Sequence, residues 1–220
     1  MSGRGFADVH CHQFANLGFG GGVFWGVPYG DISTAVPWCS PEHGPAGVLD
    51  IAGWVVKTQY RGFLNAGIGH LVGGNPQFDG WPRWDSVTHQ SVHVDWLERA
   101  WRGGLRLMVM LAVNNEWMCE VLQPPPPPGY VPPPSPCKDM DAVDAQLAAA
   151  RQLETTVDQA SGGPGSGWYR IVTSPAEASA TIDAGKLAVV LGIEVDHLFG
   201  SYLNAGLFRS GRRQCSPEVL

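Results

Sequence analysis

The stretch Leu105–Val113, which reads LRLMVMLAV, decides the fold. An apolar run of this length, with Arg106 as its one charged residue, is typical of a β-strand that is buried on both faces of a parallel sheet. Residues 187–195 (LAVVLGIEV) form a second run of the same kind, and residues 6–12 and 168–172 are shorter β-prone segments. The sequence therefore predicts strands at these four places.

Helical patterns separate the later strands. Apolar residues recur at helical spacing through 139–159, and the capping box SPAE at 174–177 starts a further helix. Another helix is predicted over 87–102, closed by two glycines before the first apolar run. From residue 105 the order is strand, helix, strand, helix, strand, which is typical of right-handed crossovers and a parallel sheet.

Two α/β folds fit this alternation, a (β/α)8 barrel and an open doubly wound sheet. A nucleotide-binding open sheet carries a glycine-rich turn after its first strand, whereas residues 18–22 (GFGGG) lack the G-x-G-x-x-G spacing and the phosphate-loop lysine. We therefore predict a (β/α)8 barrel. Because closure needs eight strands, we expect residues 1–220 to be the N-terminal part of one barrel domain, poorly soluble or dimeric by itself. The helix start at 216–218 (SPE), close to the last residue, favours this interpretation.

Composition excludes several classes of protein. The 220 residues are 44% hydrophobic with a formal net charge of −6, which argues against disorder and against nucleic-acid binding. No apolar run is long enough for a membrane span, and polar residues at 8–12 interrupt any signal peptide, so we predict a cytoplasmic protein. Five cysteines without a C-x-x-C pair predict neither a disulfide framework nor a thiolate zinc site.

A proline-rich insertion occupies residues 123–136 and holds nine of the 18 prolines. Such a run favours a stiff polyproline II conformation, which is typical of an exposed spacer. An adaptor role, in which a partner's proline-reading domain binds the run, is the alternative interpretation.

The pentapeptide DVHCH at 8–12 contains the first candidate metal ligands. Side chains two residues apart on a strand point to the same face, so His10 and His12 can bind one ion, and imidazole nitrogen suits zinc and its neighbours. A structural histidine pair is the alternative.

Glu194 is the third candidate ligand. It ends the apolar run at 187–193, where a buried carboxylate is costly unless it is paired or bound to a metal. We predict that it joins His10 and His12, with a salt-bridged loop as the alternative. Asn114 follows Leu105–Val113 and is a candidate for positioning substrate. His89 and His93 lack the glutamate of an H-E-x-x-H motif, so we predict a solvated or capping role for both.

Four segments carry a resemblance to a known family. They are DVHCH at 8–12, FDGWPRWDSVTHQ at 78–90, the helix from Lys138 into WYRIV, and KLAVVLGIEVDH at 186–197. In these segments the chain resembles the membrane (renal) dipeptidases, metallopeptidases of the amidohydrolase superfamily.

The resemblance implies a (β/α)8 barrel with a binuclear zinc centre that hydrolyses dipeptides. His10 and His12 match the first-strand ligands, Glu194 matches the bridging glutamate, and His197 matches a histidine three residues beyond it. Position 12 is histidine where the dipeptidases have aspartate, and residues 195–196 are Val-Asp where they have two glycines.

Together these observations predict a metal-dependent hydrolase of an amide or peptide bond. One or two zinc ions would be held by His10, His12 and Glu194, with Glu194 catalytic and with Asn114 and His197 contacting a dipeptide or related small molecule. The alternative is an inactive barrel fragment that binds a metal or a partner without turnover.

Overall fold

A four-stranded parallel β-sheet forms the centre of the molecule. The computed structural model describes residues 5–122 and 137–200, so the proline-rich insertion at 123–136 and the helix start at 216–218 lie outside the described residues. The strands are β1 (Phe6–Cys11), β2 (Leu105–Val113), β3 (Tyr169–Val172) and β4 (Leu187–Glu194). Their order across the sheet is β1-β2-β4-β3. The predicted strands and the α/β class are confirmed.

The register brings the carboxyl ends of three strands together. In the β2–β4 pair, Val113 lies opposite Glu194, so both strands end at the same level. On the other side of β2, Cys11 at the end of β1 lies opposite Met110. Because β2 lies between β1 and β4, side chains that follow these two strands can meet across its end.

Helices connect and cover the strands. In chain order they are α1 (Ile32–Ala35), α2 (Ser40–His43), α3 (Ile51–Arg61), α4 (Val94–Arg102), α5 (Glu116–Leu122), α6 (Asp139–Ala160) and α7 (Pro175–Asp183). The predicted capping box is confirmed at α7, where the Ser174 hydroxyl accepts a hydrogen bond from the Glu177 backbone N–H at 3.2 Å. Helix α6 packs on β2 and β3. The core between them includes Met108, Leu153 and Tyr169, each at most 1% exposed.

The helix predicted over 87–102 is shorter than expected. Helix α4 begins at Val94, with His93 as its extended N-cap residue. Residues 88–90 instead pair with Trp25: the Trp25 N–H donates to the Thr88 carbonyl at 2.7 Å, and the Gln90 N–H donates to the Trp25 carbonyl at 2.8 Å. Tertiary pairing with a distant segment therefore overrides the local helical period.

One pair of cysteines corrects the prediction that the chain lacks disulfides. Cys119 in α5 is bonded to Cys137, next to the start of α6. The separation of 18 residues did not predict this bond, because the fold brings the two cysteines together and their spacing matches no disulfide motif. Because cytosolic proteins rarely contain disulfides, this bond does not support the cytoplasmic location, which stays a prediction. Within the described ranges, no helix has both the length and the apolar character needed to cross a bilayer.

Candidate metal centre

The carboxyl end of β1 presents its side chains as the strand period requires. His10 and His12 lie on the solvent side, whereas Cys11 between them is 5% exposed and packs in the core. Burial raises the pKa of the Cys11 thiol to about 12, so it stays protonated and faces away from the two histidines. The predicted convergence of His10 and His12 is present in the structure.

Three ligand atoms meet at this edge of the sheet. The Nε2 atoms of His10 and His12 are 3.0 Å apart. Glu194 Oε2 lies 3.1 Å from His10 Nε2 and 3.6 Å from His12 Nε2. The structure thus brings together all three residues that the sequence assigned to the metal, across the end of β2.

The surroundings of His12 orient its ring. Its Nδ1 lies 3.2 Å from the Leu111 carbonyl oxygen, which can only accept, so Nδ1 carries the proton and Nε2 presents a lone pair. A backbone carbonyl in this position is a usual support for a metal-binding histidine. The next residue, Gln13, is fully buried and accepts a hydrogen bond from the Tyr169 hydroxyl at 3.1 Å. The end of β1 is therefore fixed from two sides.

A cavity of about 460 Å³ opens beside the two histidines. It is within the usual size range of small-molecule sites. Its lining includes Asp8, His10, His12, Asn16, Phe24 and Gln90. The cluster therefore has room beside it for a small substrate.

Glu194 differs from its sequence prediction in one respect. The sequence predicted a buried carboxylate, whereas the Glu194 side chain is 49% exposed and that of His10 is 60% exposed. Burial fades along β4 toward its carboxyl end, so the carboxylate emerges at the rim of the sheet. The site is open to solvent on one side, as a substrate requires.

Asn114 lies behind this edge and holds the local structure together. Its Oδ1 accepts a hydrogen bond from the Phe19 N–H at 2.7 Å. Its Nδ2 donates to the Cys137 carbonyl at 2.9 Å and to Asp139 Oδ1 at 2.7 Å. With 3% exposure and all its polar atoms engaged, Asn114 contacts protein where the sequence predicted a contact with substrate.

His197 is placed in a second polar group beside the first. Its backbone N–H donates to Asp139 Oδ2 at 2.8 Å. Its Nδ1 lies 3.4 Å from the same oxygen and 3.6 Å from Glu116 Oε2. These three residues form another set able to hold a cation. The structure therefore joins His197 to Asp139 and Glu116 and not to the ligands His10, His12 and Glu194.

Sequence reasoning missed a third set, formed by Cys39, His43, His70 and His89. The prediction for His93 is confirmed, because its Nδ1 accepts a hydrogen bond from the Asp95 N–H at 3.3 Å and caps α4. The prediction for His89 is wrong, because this residue is 4% exposed and contacts His43. The signal that could have revealed the set is Cys39-x3-His43, a spacing of one helical turn.

Comparison with known proteins found no protein-family model, no curated protein and no solved structure that matches the chain.

Proposed function

We propose that the chain is a metal-dependent hydrolase of an amide or peptide bond that acts on dipeptides or related small molecules. The observation that carries this proposal is the meeting of His10 Nε2, His12 Nε2 and Glu194 Oε2 within 3.6 Å of one another beside an open cavity.

The three side chains suit a zinc ion. Two histidines and one glutamate form a ligand set that recurs in catalytic zinc sites, where a fourth position stays open. Without a cation, His10 Nε2 faces two acceptors, a lone pair of His12 and an oxygen of Glu194. Since His10 Nε2 carries at most one proton, it cannot donate fully to both. A divalent ion satisfies all three acceptors at once.

Each residue then has a defined task. When bound, zinc supplies an activated water and polarises the scissile carbonyl. His10 and His12 hold the ion through neutral imidazoles, and the Leu111 carbonyl fixes the ring of His12. Glu194 places a negative charge against the ion and, being half exposed, faces the side from which substrate enters.

The proposed chemistry is that of the dipeptidase-like barrels, but it does not require a closed barrel. Parallel α/β folds of both kinds, open and closed, bind ligands at the carboxyl ends of their strands, which is where this cluster lies. In a barrel the strands follow one another in chain order, whereas here β4 lies between β2 and β3. The proposed chemistry depends on the edge of the sheet and not on its closure.

The test is turnover by the zinc-loaded chain. We expect hydrolysis of at least one member of a dipeptide panel, measured as the free amino acid that is released. This activity should be lost in His10→Ala/His12→Ala. Val9→Ala is the matched control, because Val9 lies between Asp8 and His10 on β1 and is 67% exposed. This control variant should turn over substrate at the wild-type rate.

Two results would redirect the proposal. Zinc bound at His10 and His12 without turnover of any dipeptide or simple amide would favour the alternative, a metal-binding protein without catalysis. Turnover that survives in His10→Ala/His12→Ala would place the active site elsewhere in the molecule.

A further inference from the structure

A second histidine cluster lies away from the sheet, in the irregular part of the chain between β1 and α4. Cys39 is the N-cap residue of α2 and His43 is the last residue of that single helical turn. His70 and His89 come from the long segment that follows α3. One potential ligand atom from each of these four residues lies within 4.8 Å of the other three.

The imidazole nitrogens face one another at short range. His43 Nδ1 lies 3.0 Å from His89 Nε2 and 3.2 Å from His70 Nε2. Tetrahedral coordination by nitrogen at about 2.0–2.1 Å sets neighbouring ligand atoms a little over 3 Å apart. The two distances from His43 Nδ1 are therefore close to the separation of neighbouring ligand atoms around a tetrahedral metal ion.

The outer nitrogens show which atoms carry lone pairs. His89 Nδ1 donates to the Ser86 carbonyl at 3.2 Å, and His70 Nδ1 donates to the Leu71 carbonyl at 2.8 Å. Each neutral ring then has its lone pair on Nε2, directed at His43 Nδ1. Since His43 Nδ1 carries at most one proton, it cannot satisfy both rings. Ring N–H groups held by backbone carbonyls are typical of metal-binding histidines.

The thiol of Cys39 completes the set. It is fully buried, and its Sγ accepts a hydrogen bond from the Gly73 N–H at 3.4 Å. Burial raises the pKa of this thiol, but a coordinated metal ion deprotonates a thiol outright. A backbone N–H aimed at the sulfur supports the thiolate that coordination would produce.

Charge balance also favours a divalent ion. Asp50 Oδ2 lies 3.5 Å from His70 Nε2, and the side chains of Asp50 and His70 are 5% and 7% exposed. One thiolate and one carboxylate offset the two charges of a zinc ion in this buried region. Asp50 is held in place by the Thr88 hydroxyl, which donates to Oδ2 at 2.5 Å.

The setting is tightly packed, and His89 also lines the cavity beside His10 and His12. Trp81 makes an edge contact with His89, with ring centroids 5.2 Å apart. Gly47, at φ +67°, lies so close to His70 that a Cβ there would be 2.6 Å from the imidazole. No strand lies between β1 and α4, and the hydrophobic cluster there includes only four buried residues, Ala35, Val36, Cys39 and Trp81. Four protein ligands in a closed site are typical of structural zinc.

We propose that Cys39, His43, His70 and His89 form a structural site for a divalent transition-metal ion, best served by Zn²⁺, which holds α2 and the segment after α3 together. The ion is bound by one thiolate and three neutral imidazoles, with Asp50 as the neighbouring counter-charge. The site is separate from the edge cluster of His10, His12 and Glu194 and does not depend on its function.

Cobalt substitution tests the proposal directly. A thiolate ligand gives Co²⁺ a sulfur-to-metal charge-transfer band, which the edge cluster cannot give because it contains no sulfur. We expect this band in the cobalt-loaded full chain and in His10→Ala/His12→Ala, and its loss in Cys39→Ser. Cys215→Ser and Cys11→Ser, which change cysteines outside the cluster, should both retain it.

Zinc affinity should follow the same pattern. Losing a supporting hydrogen bond costs roughly 10–100-fold in metal affinity, so removal of the ligand in Cys39→Ser should exceed that loss. If Cys39→Ser fails to fold, X-ray absorption of zinc-loaded His10→Ala/His12→Ala tests the same site, because this variant leaves the cluster of Cys39, His43, His70 and His89 unchanged. We expect one sulfur at about 2.3 Å and nitrogen at about 2.0–2.1 Å.

Two outcomes overturn the site. The first is a folded wild-type chain that takes up cobalt or zinc without any sulfur ligand. The second is a charge-transfer band that survives in Cys39→Ser and disappears in Cys215→Ser or Cys11→Ser. A protonated His70 paired with Asp50 would then explain the close approach of the rings without a metal.

Discussion

The two histidine clusters use similar ligands in opposite surroundings. The edge cluster stands at the end of a β-strand, where the side chain of His10 is 60% exposed. The buried cluster stands on loops and one helical turn, where the side chain of His70 is 7% exposed. The edge cluster has three candidate ligands, of which His10 and His12 line the cavity, whereas the buried cluster has four, of which His89 reaches that cavity and also packs against Trp81.

Under the two proposals above, this difference separates a catalytic metal site from a structural one. A metal ion with a position open to solvent can act on a substrate, whereas an ion enclosed by four protein ligands contributes to folding. The regions that contain the two clusters also differ in what stabilises them. The sheet has its own core around Met108 and Leu153, whereas the segment between β1 and α4 depends on contacts between loops.

The largest expected effect comes from removing metal from the buried cluster. If free zinc is about 1,000 times the Kd, its removal costs about 4.1 kcal/mol, or roughly 1,000-fold in the local opening equilibrium. Chelation of the wild-type chain, or the substitution Cys39→Ser, should therefore speed amide exchange across residues 36–93 and leave β2 and β4 protected. Hydrogen exchange followed by mass spectrometry measures this, with His10→Ala/His12→Ala as the control that stays protected. Equal protection of residues 36–93 with and without chelator would contradict the comparison.

A change in the core of the sheet should destabilise the sheet and leave the buried cluster intact. Leu153 in α6 is 1% exposed and packs in the main core, so Leu153→Ala should lower the free energy of unfolding by about 3 kcal/mol. Leu153→Met keeps most of the volume and should cost less than about 1.5 kcal/mol. Denaturant unfolding measures both. The cobalt charge-transfer band should persist in Leu153→Ala, and its loss would show that the two regions are not independent.

Asn114 tests whether a buried polar residue behind the edge cluster supports structure or binds substrate. Asn114→Ala leaves the Phe19 N–H and Asp139 without their partner and should lower the free energy of unfolding by about 2 kcal/mol. The KM of the proposed hydrolase activity should stay near the wild-type value. Unchanged stability with a raised KM would instead restore the substrate-binding role predicted from the sequence.

The smallest effect is expected at the capping box of α7, whose residues belong to neither cluster. Ser174→Ala removes the side chain that accepts from the Glu177 N–H and should cost about 1 kcal/mol. Ser174→Asp, which keeps an acceptor at the N-cap, should recover most of that loss. Thermal unfolding measures the difference, and zinc content should be the same in all three chains. A loss of several kcal/mol would mean that α7 supports more of the fold than its exposed position indicates.

Elements with a strict local period were predictable from sequence. The run Leu105–Val113 was predicted to the residue because eight of its nine residues are apolar, with Arg106 as the exception near its start. His10 and His12 were predictable for the same reason, since the two-residue strand period fixes their common face. Glu194 was predictable as a ligand candidate. Its exposure was not, because it depends on where the helices that pack on the sheet end, which the local sequence does not determine.

Features made by contacts between distant segments were not predictable. The buried cluster joins residues 39, 43, 70 and 89 through loops that have no period, and only the Cys39-x3-His43 pair is local. Cys119 and Cys137 are joined because the fold brings α5 next to the start of α6, which their separation of 18 residues does not indicate. Residues 87–93 have a helical pattern, but a turn closed by the His89 N–H on the Ser86 carbonyl and the pairing of residues 88–90 with Trp25 keep them out of the helix. In each place a tertiary partner outweighs the local sequence.

The most direct test of the two-site account is the zinc content of His10→Ala/His12→Ala. The zinc-loaded wild-type chain and the variant are passed through gel filtration and analysed for zinc per chain, with Val9→Ala as the control. We predict that the variant loses the zinc of the edge cluster and keeps one ion bound by Cys39, His43, His70 and His89, while Val9→Ala matches the wild type. A variant with the same zinc content as the wild type would contradict the assignment of His10 and His12 as metal ligands.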